Sequence, residues 1–349
     1  YFGEIVLNDP LAQIRHDFGE GSRLFRGRFK EDHNSAYLAD RLRIGDSLTL
    51  ELGVRYDRHS QTSESHASPR LNLAYSLGER SVLRVAWGRF NQSQRPYELQ
   101  VEDGDTQIYP VERSEHRVIG FERLFETASE GPGLALRVEV YRREVGNPRP
   151  RYVNLFEPIN EFPEIEPDRV RIEPDRSIAE GIEIFLRGSL GHKIRWWVNY
   201  ANASTEDEIV GDRVPRLFDQ THALNLDLDL KIKEHWHLNL AWRFHTGWPT
   251  TPLSLQEIVD DDGEVEFVPV LGPLNSERLS SYHRLDLRAS RRWHFRSASL
   301  DFFVDVQNVY DRENLAGFDI EIDDEEGSIV ATEEGWVGIL PSAGVSVEF

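Results

Sequence analysis

Polar and apolar residues alternate one for one along most of this chain, in stretches longer than ordinary globular strands. Over Leu48–Asp57, the residues Leu48, Leu50, Leu52, Val54 and Tyr56 fall on one face, and Thr49, Glu51, Gly53, Arg55 and Asp57 on the other. Further on, Leu224, Leu226, Leu228 and Leu230 oppose Asn225, Asp227 and Asp229. Leu238, Leu240, Trp242 and Phe244 oppose His237, Asn239, Arg243 and His245, and Val304 and Val306 oppose Asp305 and Gln307. Successive side chains of a strand point to opposite faces, so a period of two reads as a sheet with one apolar and one polar side. The pattern predicts strands near 36–43, 47–57, 69–77, 81–90, 115–125, 133–145, 177–188, 193–203, 219–232, 235–246, 282–294, 298–309 and 336–349, with a weaker one over 22–30.

The connections alternate as well. Short ones fall at 44–46, 78–80, 126–132, 189–192, 233–234 and 295–297, and long ones at 58–68, 91–114, 146–176, 204–218, 247–281 and 310–335. Short turns on one side and long loops on the other mark a transmembrane antiparallel meander barrel, whose strands need about 9–11 residues to cross the hydrocarbon. Trp236, Trp242, Tyr200, Tyr282, Trp293 and Phe295 lie near expected strand ends, where amphipathic rings favour the headgroup level. The predicted class is therefore all-β, with apolar faces toward outer-membrane lipid and polar faces toward a lumen.

Composition changes the picture little. Mean hydropathy is −0.52 and 29% of residues are charged, values a soluble protein would also give. No apolar run suffices for a membrane helix, whereas a barrel needs only every second residue to be apolar. Cysteine is absent, which excludes a disulfide framework, a thiolate nucleophile and a cysteine metal site. Methionine is absent too, and the sequence opens on Tyr1, so no signal peptide is read and the chain is expected to be a processed or truncated product. The net charge of −21 argues against nucleic acid as a partner. That charge gathers in two long loops: 247–281 holds seven carboxylates against one arginine, and 310–335 holds ten against one.

Several segments, taken in order, closely resemble the barrel of TonB-dependent outer-membrane receptors. YLADRLRIGDSLTLELGVRYD (Tyr37–Asp57) resembles a strand, a short periplasmic turn and a strand ending in Arg-Tyr-Asp; SPRLNLAYSLGERSVLRVAWGRFNQ (Ser68–Gln92) is similar to the next hairpin. ERSEHRVIGFE (Glu112–Glu122), VPRLFDQTHALNLDLDL (Val214–Leu230), FHTGWPTTP (Phe244–Pro252) and DVQNVYDRENL (Asp305–Leu315) continue the likeness. The closing VSVEF, with Val345, Val347 and Phe349, resembles the signal by which such barrels engage the assembly machinery. The resemblance covers 34–349 and leaves 1–33 as uncertain upstream strands and loop. It implies active uptake of a scarce ligand (siderophore, cobalamin, oligosaccharide or similar), coupled to a TonB-type protein through an N-terminal part. It also implies a barrel of about 22 strands around a plug. About 13–14 strands and no plug are read here, so the chain is expected to be part of the whole. A self-contained porin of about 14 strands is the alternative, and a soluble β-sandwich a more distant one.

No constellation for chemistry is read. His235, His237 and His245 share a face without a carboxylate at fixed spacing to complete a metal shell. No nucleophile elbow or phosphate-cradling loop accompanies the serines and glycines. The chain is expected to carry no catalytic residue, metal or cofactor. The candidate ligand-facing residues are the acidic rim Asp260, Asp261, Asp262, Asp323, Asp324, Glu325 and Glu326, whose spacing does not match a calcium loop. Such a rim either keeps the loops solvated or steers a cationic or metal-bearing ligand into the lumen.

Overall fold

The computed structural model describes residues 6–7, 13–14, 32–101, 103–105, 107–126, 133–160, 168–259, 265–323 and 327–349. Thirteen long strands form one path: β1 (His33–Ile44), β2 (Leu48–His59), β3 (Glu64–Ser76), β4 (Ser81–Gln92), β5 (Glu112–Phe125), β6 (Leu134–Gly146), β7 (Arg176–Leu190), β8 (Ile194–Ile209), β9 (His222–Lys233), β10 (Trp236–His245), β11 (Tyr282–His294), β12 (Ser299–Gln307) and β13 (Leu340–Glu348). Each pairs antiparallel with its neighbours in sequence, so the sheet is a meander; a short strand, Asp212–Pro215, pairs off the path with β8. All thirteen expected strands are present. The last begins at Leu340 rather than 336, because the loop holds the preceding segment: Trp336 N–H donates to the Asn314 carbonyl (2.8 Å) and Ile339 N–H to the Asp311 carboxylate (2.7 Å). The expected strand over 22–30 lies outside the described residues.

Three short turns place a glycine at φ +60° (Gly45), +76° (Gly78) and +59° (Gly191), a backbone region that a Cβ penalises and that tight hairpins require. Register then aligns the apolar faces. Leu42, Leu50, Leu73, Val85, Ile119, Val140 and Ile182 stand opposite one another in a single row across β1 to β7. Leu228, Leu240, Leu287 and Val306 form a corresponding row on β9 to β12. In β2, Leu52, Val54 and Tyr56 are exposed while Arg55 is half-buried and Asp57 buried. The opposite face is a lattice of charges: Arg41 pairs with Glu51, Arg84 with Glu122, Arg195 with Asp229, Arg288 with Asp305 and Arg292 with Asp301. In hydrocarbon every backbone donor and acceptor must be satisfied within the protein, which the meander's ladders do along each strand.

The true apolar core lies elsewhere. Leu155, Phe156, Val170, Ile172, Ile209, Val214, Leu271 and Leu274 form the buried cluster, and all sit at the long-loop end. The expected long loops contain hairpins of their own: Arg151–Asn154 with Arg169–Ile172, Leu253–Val259 with Val265–Leu271, and Leu315–Asp323 with Ser328–Gly335. Two N-terminal pieces add to this layer, Val6–Leu7 beside Val270–Leu271 and Gln13–Ile14 beside Val170–Arg171. In a soluble sandwich the leucines of the long strands would be the core. Here Leu38 is 75% exposed and Val140 51%, whereas Val170 is 0% exposed. No described helix is long and apolar enough to cross a membrane; the strands do so instead.

Candidate functional site

A cavity of about 610 Å³ opens on the inner face of the wall near the long-loop end. Its floor comes from two adjacent rows of the register. Phe90, Ser114, Val145 and Ser177 stand opposite one another across β4 to β7, and Gly88, His116, Arg143 and Ala179 form the next row. Small residues at 88 and 179 leave room between the larger ones. A Cβ on Gly88 would lie 3.1 Å from the Phe90 ring and 3.3 Å from Arg70 Cγ, so glycine lets that ring lie over the strand. The Arg70 guanidinium sits 4.6 Å from the Phe90 centroid, and the His116 ring packs 4.5 Å from it on the other side.

The loops close the cavity from above. Pro148 and Pro150 bracket Arg149 in the sequence Pro-Arg-Pro-Arg, which holds the backbone extended and fans the arginines inward. Arg149 donates to Glu98 (2.9 Å) and Glu112 (3.1 Å), while its own N–H donates to the second Glu112 oxygen (2.9 Å). Burial pushes the Glu98 carboxyl up, but the Arg95 N–H and the Arg149 guanidinium outweigh it and hold the group below the usual carboxylate range. Burial pulls the Arg149 guanidinium down, but its bonds to Glu98 and Glu112 outweigh it and raise the group above the usual arginine value. Arg151 is paired to Asp207, which also accepts from the Ser177 hydroxyl; burial lowers the Arg151 guanidinium below its usual value.

Two cations are left over. Arg143 has no ion-pair or hydrogen-bond partner among the described residues, since its cross-strand neighbours are His116 and Ala179. Arg216 comes no nearer than 3.9 Å to Asp207 and is 41% exposed. The lining therefore sets four arginines against three carboxylates in a chain of net charge −21. Such an arrangement can hold anionic or acceptor-rich groups against an aromatic surface. Within the lining the Ser114 hydroxyl lies 3.0 Å from His116 Nε2.

The expected rim residues fall largely outside the part of the chain that the structure describes. Asp260, Asp261, Asp262, Asp324, Glu325 and Glu326 lie outside the described residues, and Asp323 ends the strand Leu315–Asp323. Asp319 and Glu321, upstream on that strand, are exposed while Ile320 packs against the apolar cluster. His237 stands 3.8 Å from Asp229 and His235 faces the His294 ring, while His245 stacks on Tyr282 at 4.7 Å. Val345 and Val347 are exposed on the apolar face, opposite Phe302 and Leu300, and Phe349 is exposed at the terminus. Sequence reasoning missed the cavity. Its one signal was Arg143, an inner-face arginine without an acidic residue opposite on either expected hairpin.

The family model for the TonB dependent receptor-like β-barrel matches residues 7–309. No curated relative matches. Among solved structures, a mutant ferric enterobactin receptor (PfeA) from Pseudomonas aeruginosa is 17% identical with a TM-score of 0.60, over 91% of this chain and 45% of that one. The ferripyoverdine receptor of the outer membrane of Pseudomonas aeruginosa, bound to ferripyoverdine, is 16% identical with a TM-score of 0.55, over 91% and 38%. An FpvAI–pyocin S2 complex is 15% identical with a TM-score of 0.56, over 91% and 39%. The chain thus spans less than half the length of the structures it matches, and likeness at these identities speaks for the fold alone. A next-neighbour meander with apolar residues outward, ion pairs inward and folded loops at one end meets a family match over most of its length: the chain belongs to the TonB-dependent receptor-like β-barrel family of the outer membrane.

Proposed function

We propose that this chain is the wall of a receptor that captures a scarce metal-bearing chelate, such as a ferric siderophore, and carries it inward with energy from a TonB-type protein. The carrying observation is the pair Arg143 and Arg216, cations without a close partner in a lumen-facing cavity of about 610 Å³. That volume lies within the usual range of small-molecule pockets, roughly 300–1,000 Å³. Uncompensated arginines beside the Phe90 and His116 rings suit the oxygen donors and flat groups of a chelate better than a neutral oligosaccharide. The solved relatives include receptors bound to enterobactin and to ferripyoverdine. In this reading the chain makes and breaks no bond of its ligand. The coupling protein engages an N-terminal part, and the exposed far edges of β1 and β13 are where further strands of a wider barrel pair. Val345, Val347 and Phe349 serve as the assembly signal.

The test uses the full-length receptor and, as probe, a ferric tris-hydroxamate chelate that bears a free ammonium group. Changing Arg143 and Arg216 together to alanine is expected to weaken binding about tenfold or more, since each hydrogen bond to a charged group contributes about 1.5–3 kcal/mol. Unchanged affinity would sink the assignment of the cavity. Uptake in cells should also stop when a protonophore collapses the proton gradient. Uptake that continues would favour the passive-channel reading.

A further inference from the structure

Of the six tryptophans on the thirteen long strands, five share the outward face with the apolar rows, and Trp197 alone points inward. Alternation decides this: Trp196 and Val198 stand opposite the outward Gly188 and Leu186, so the residue between them faces the lumen. Its row reads Leu124, Ala135, Arg187, Trp197 and Asp227 across β5 to β9, and Phe185 occupies the next inward position along β7. His116 and Leu124 are eight residues apart on β5, roughly 27 Å at about 3.4 Å per residue, so this row belongs to the short-turn end, far from Arg143.

The row floors a cavity of about 860 Å³. Here the inner wall leaves an apolar surface to water, with Leu124 55% and Trp197 37% exposed. The Phe185 ring packs against the Trp197 ring with centroids 6.1 Å apart. The charges of the lining are matched except for one. Arg80 pairs with Glu126, Arg195 with Asp229 at 3.3 Å, and Asp227 accepts from Asn239 at 3.2 Å. Arg187 is exposed and has no ion-pair or hydrogen-bond partner among the described residues, since its cross-strand neighbours are Ala135 and Trp197. A wall that only borders water is served by the ion pairs found on the neighbouring strands. An inward indole beside an unmatched guanidinium is instead a surface that fits an apolar anion.

We propose that this cavity is a second binding site, on the exit side of the lumen, for an organic anion that joins a flat apolar group to a carboxylate or similar pair of oxygens. The flat group lies on Trp197 beside Phe185 and Leu124, and the Arg187 fork takes the two oxygens. The volume falls within the usual range of small-molecule pockets, roughly 300–1,000 Å³. A neutral sugar would leave Arg187 unmatched, and a bare inorganic anion would leave the indole in water. The direction of passage rests on the transport reading above, whereas the site itself does not. A ligand that leaves Arg143 and Arg216 toward the short turns meets an aromatic ring and an uncompensated arginine a second time.

The experiment uses the full-length receptor in zwitterionic nanodiscs, with Arg143→Ala and Arg216→Ala in place so that the upper cavity does not compete. The probes are 2-naphthoate and its uncharged counterpart 2-naphthamide, followed by saturation-transfer NMR. Naphthoate should still bind in that background, and Arg187→Gln should weaken it about tenfold or more through the loss of charged hydrogen bonds. Trp197→Ala should weaken both probes, and naphthamide should bind no better than naphthoate does to the glutamine variant. Naphthoate binding that is absent from the background, or unchanged by Arg187→Gln, overturns the proposal. Unchanged affinity of the hydroxamate chelate in the same background sinks only the upper cavity. Should the Arg187 variant fail to fold, hydroxyl-radical footprinting of the receptor with its native Arg187 decides. Naphthoate that shields Trp197 from oxidation upholds the site. A Trp197 already shielded without the probe, by polypeptide lying over the wall, or one as open with the probe as without it, overturns it.

Discussion

Replacing Asp103 by alanine removes one half of the most deeply buried ion pair among the described loops. Arg169 donates from Nε and Nη2 to the two Asp103 oxygens, both at 2.7 Å, and from Nη1 to Asn154 at 2.8 Å. The Asp103 and Arg169 side chains are 2% and 7% exposed. Breaking a buried pair from one side typically costs 3–5 kcal/mol, because an uncompensated charge stays behind; about 3 kcal/mol is expected here, since Asn154 remains. Hairpin Arg151–Asn154/Arg169–Ile172 opens locally, without the β1–β13 ladder, so the cost appears as a rise of about two orders of magnitude in its opening equilibrium. Hydrogen exchange on the full-length receptor, followed over 151–172, measures this directly. The double change to Asp103→Leu and Arg169→Met should restore most of the protection, because apolar replacements of both partners are commonly neutral. Exchange in the single variant within a factor of about three of wild type, or a double variant as open as the single one, would refute the reasoning.

Three further outcomes are expected. The Glu98 carboxyl is held low in the folded loop, so its contribution to loop order is fully present above the unfolded pKa, about 4.3, and is lost as pH falls through the depressed folded value; exchange in the 93–111 loop should rise in acid, and E98Q should remove that acid limb. Asp323, Asp324, Glu325 and Glu326 changed to Asn or Gln should slow association of a positively charged metal chelate at low salt. The difference should close toward 1 M, where screening falls to about 3 Å; equal rates at every salt concentration would leave the rim a solvated surface only. Deleting Phe349 should reduce the assembled fraction in the outer membrane several-fold while leaving residual barrel heat-stable on gels, and full assembly would remove its role as a signal.

The wall was legible because one rule decides it. Leu50 and Glu51 declare opposite faces by parity alone, and hairpins with Gly45, Gly78 and Gly191 keep that parity from strand to strand. The leucines of β9 were expected outward, and Leu224 to Leu230 are half-exposed there, screened by large neighbours such as Trp196 and Trp242. The loop layer was not legible. Phe156 shares one buried cluster with Leu271 and Leu274, more than a hundred residues away, and no local period announces such a cluster. The segment around Asp319 was read as a solvated acidic loop, although Phe318 and Ile320 alternate with Asp319 and Glu321 there as in any half-buried strand. Composition outweighed periodicity in that reading. The cavity escaped for a different reason: Arg143 looks like its ion-paired neighbours until the register places His116 and Ala179 beside it.

Charge on this protein is sorted by surface, and the sorting constrains the ligand more than any single residue does. The carboxylate excess lies in two long loops, the inner wall is closely balanced by ion pairs, and two arginines without a close partner, Arg143 and Arg216, line the lumen-facing cavity near those loops. A purely anionic ligand would be repelled at the loops before reaching Arg143; a purely cationic one would be drawn to the mouth and then find nothing to hold it. A metal chelate that carries a positive group together with anionic donors satisfies both stages. Under the proposed function the rim would act at long range and on rate, and the arginine pair at contact and on residence. Salt should therefore weaken the two steps unequally. Association loses its advantage within the screening length, while dissociation from a half-buried cavity beside Phe90 changes little, so on-rate and off-rate measured across ionic strength separate the rim from the pocket.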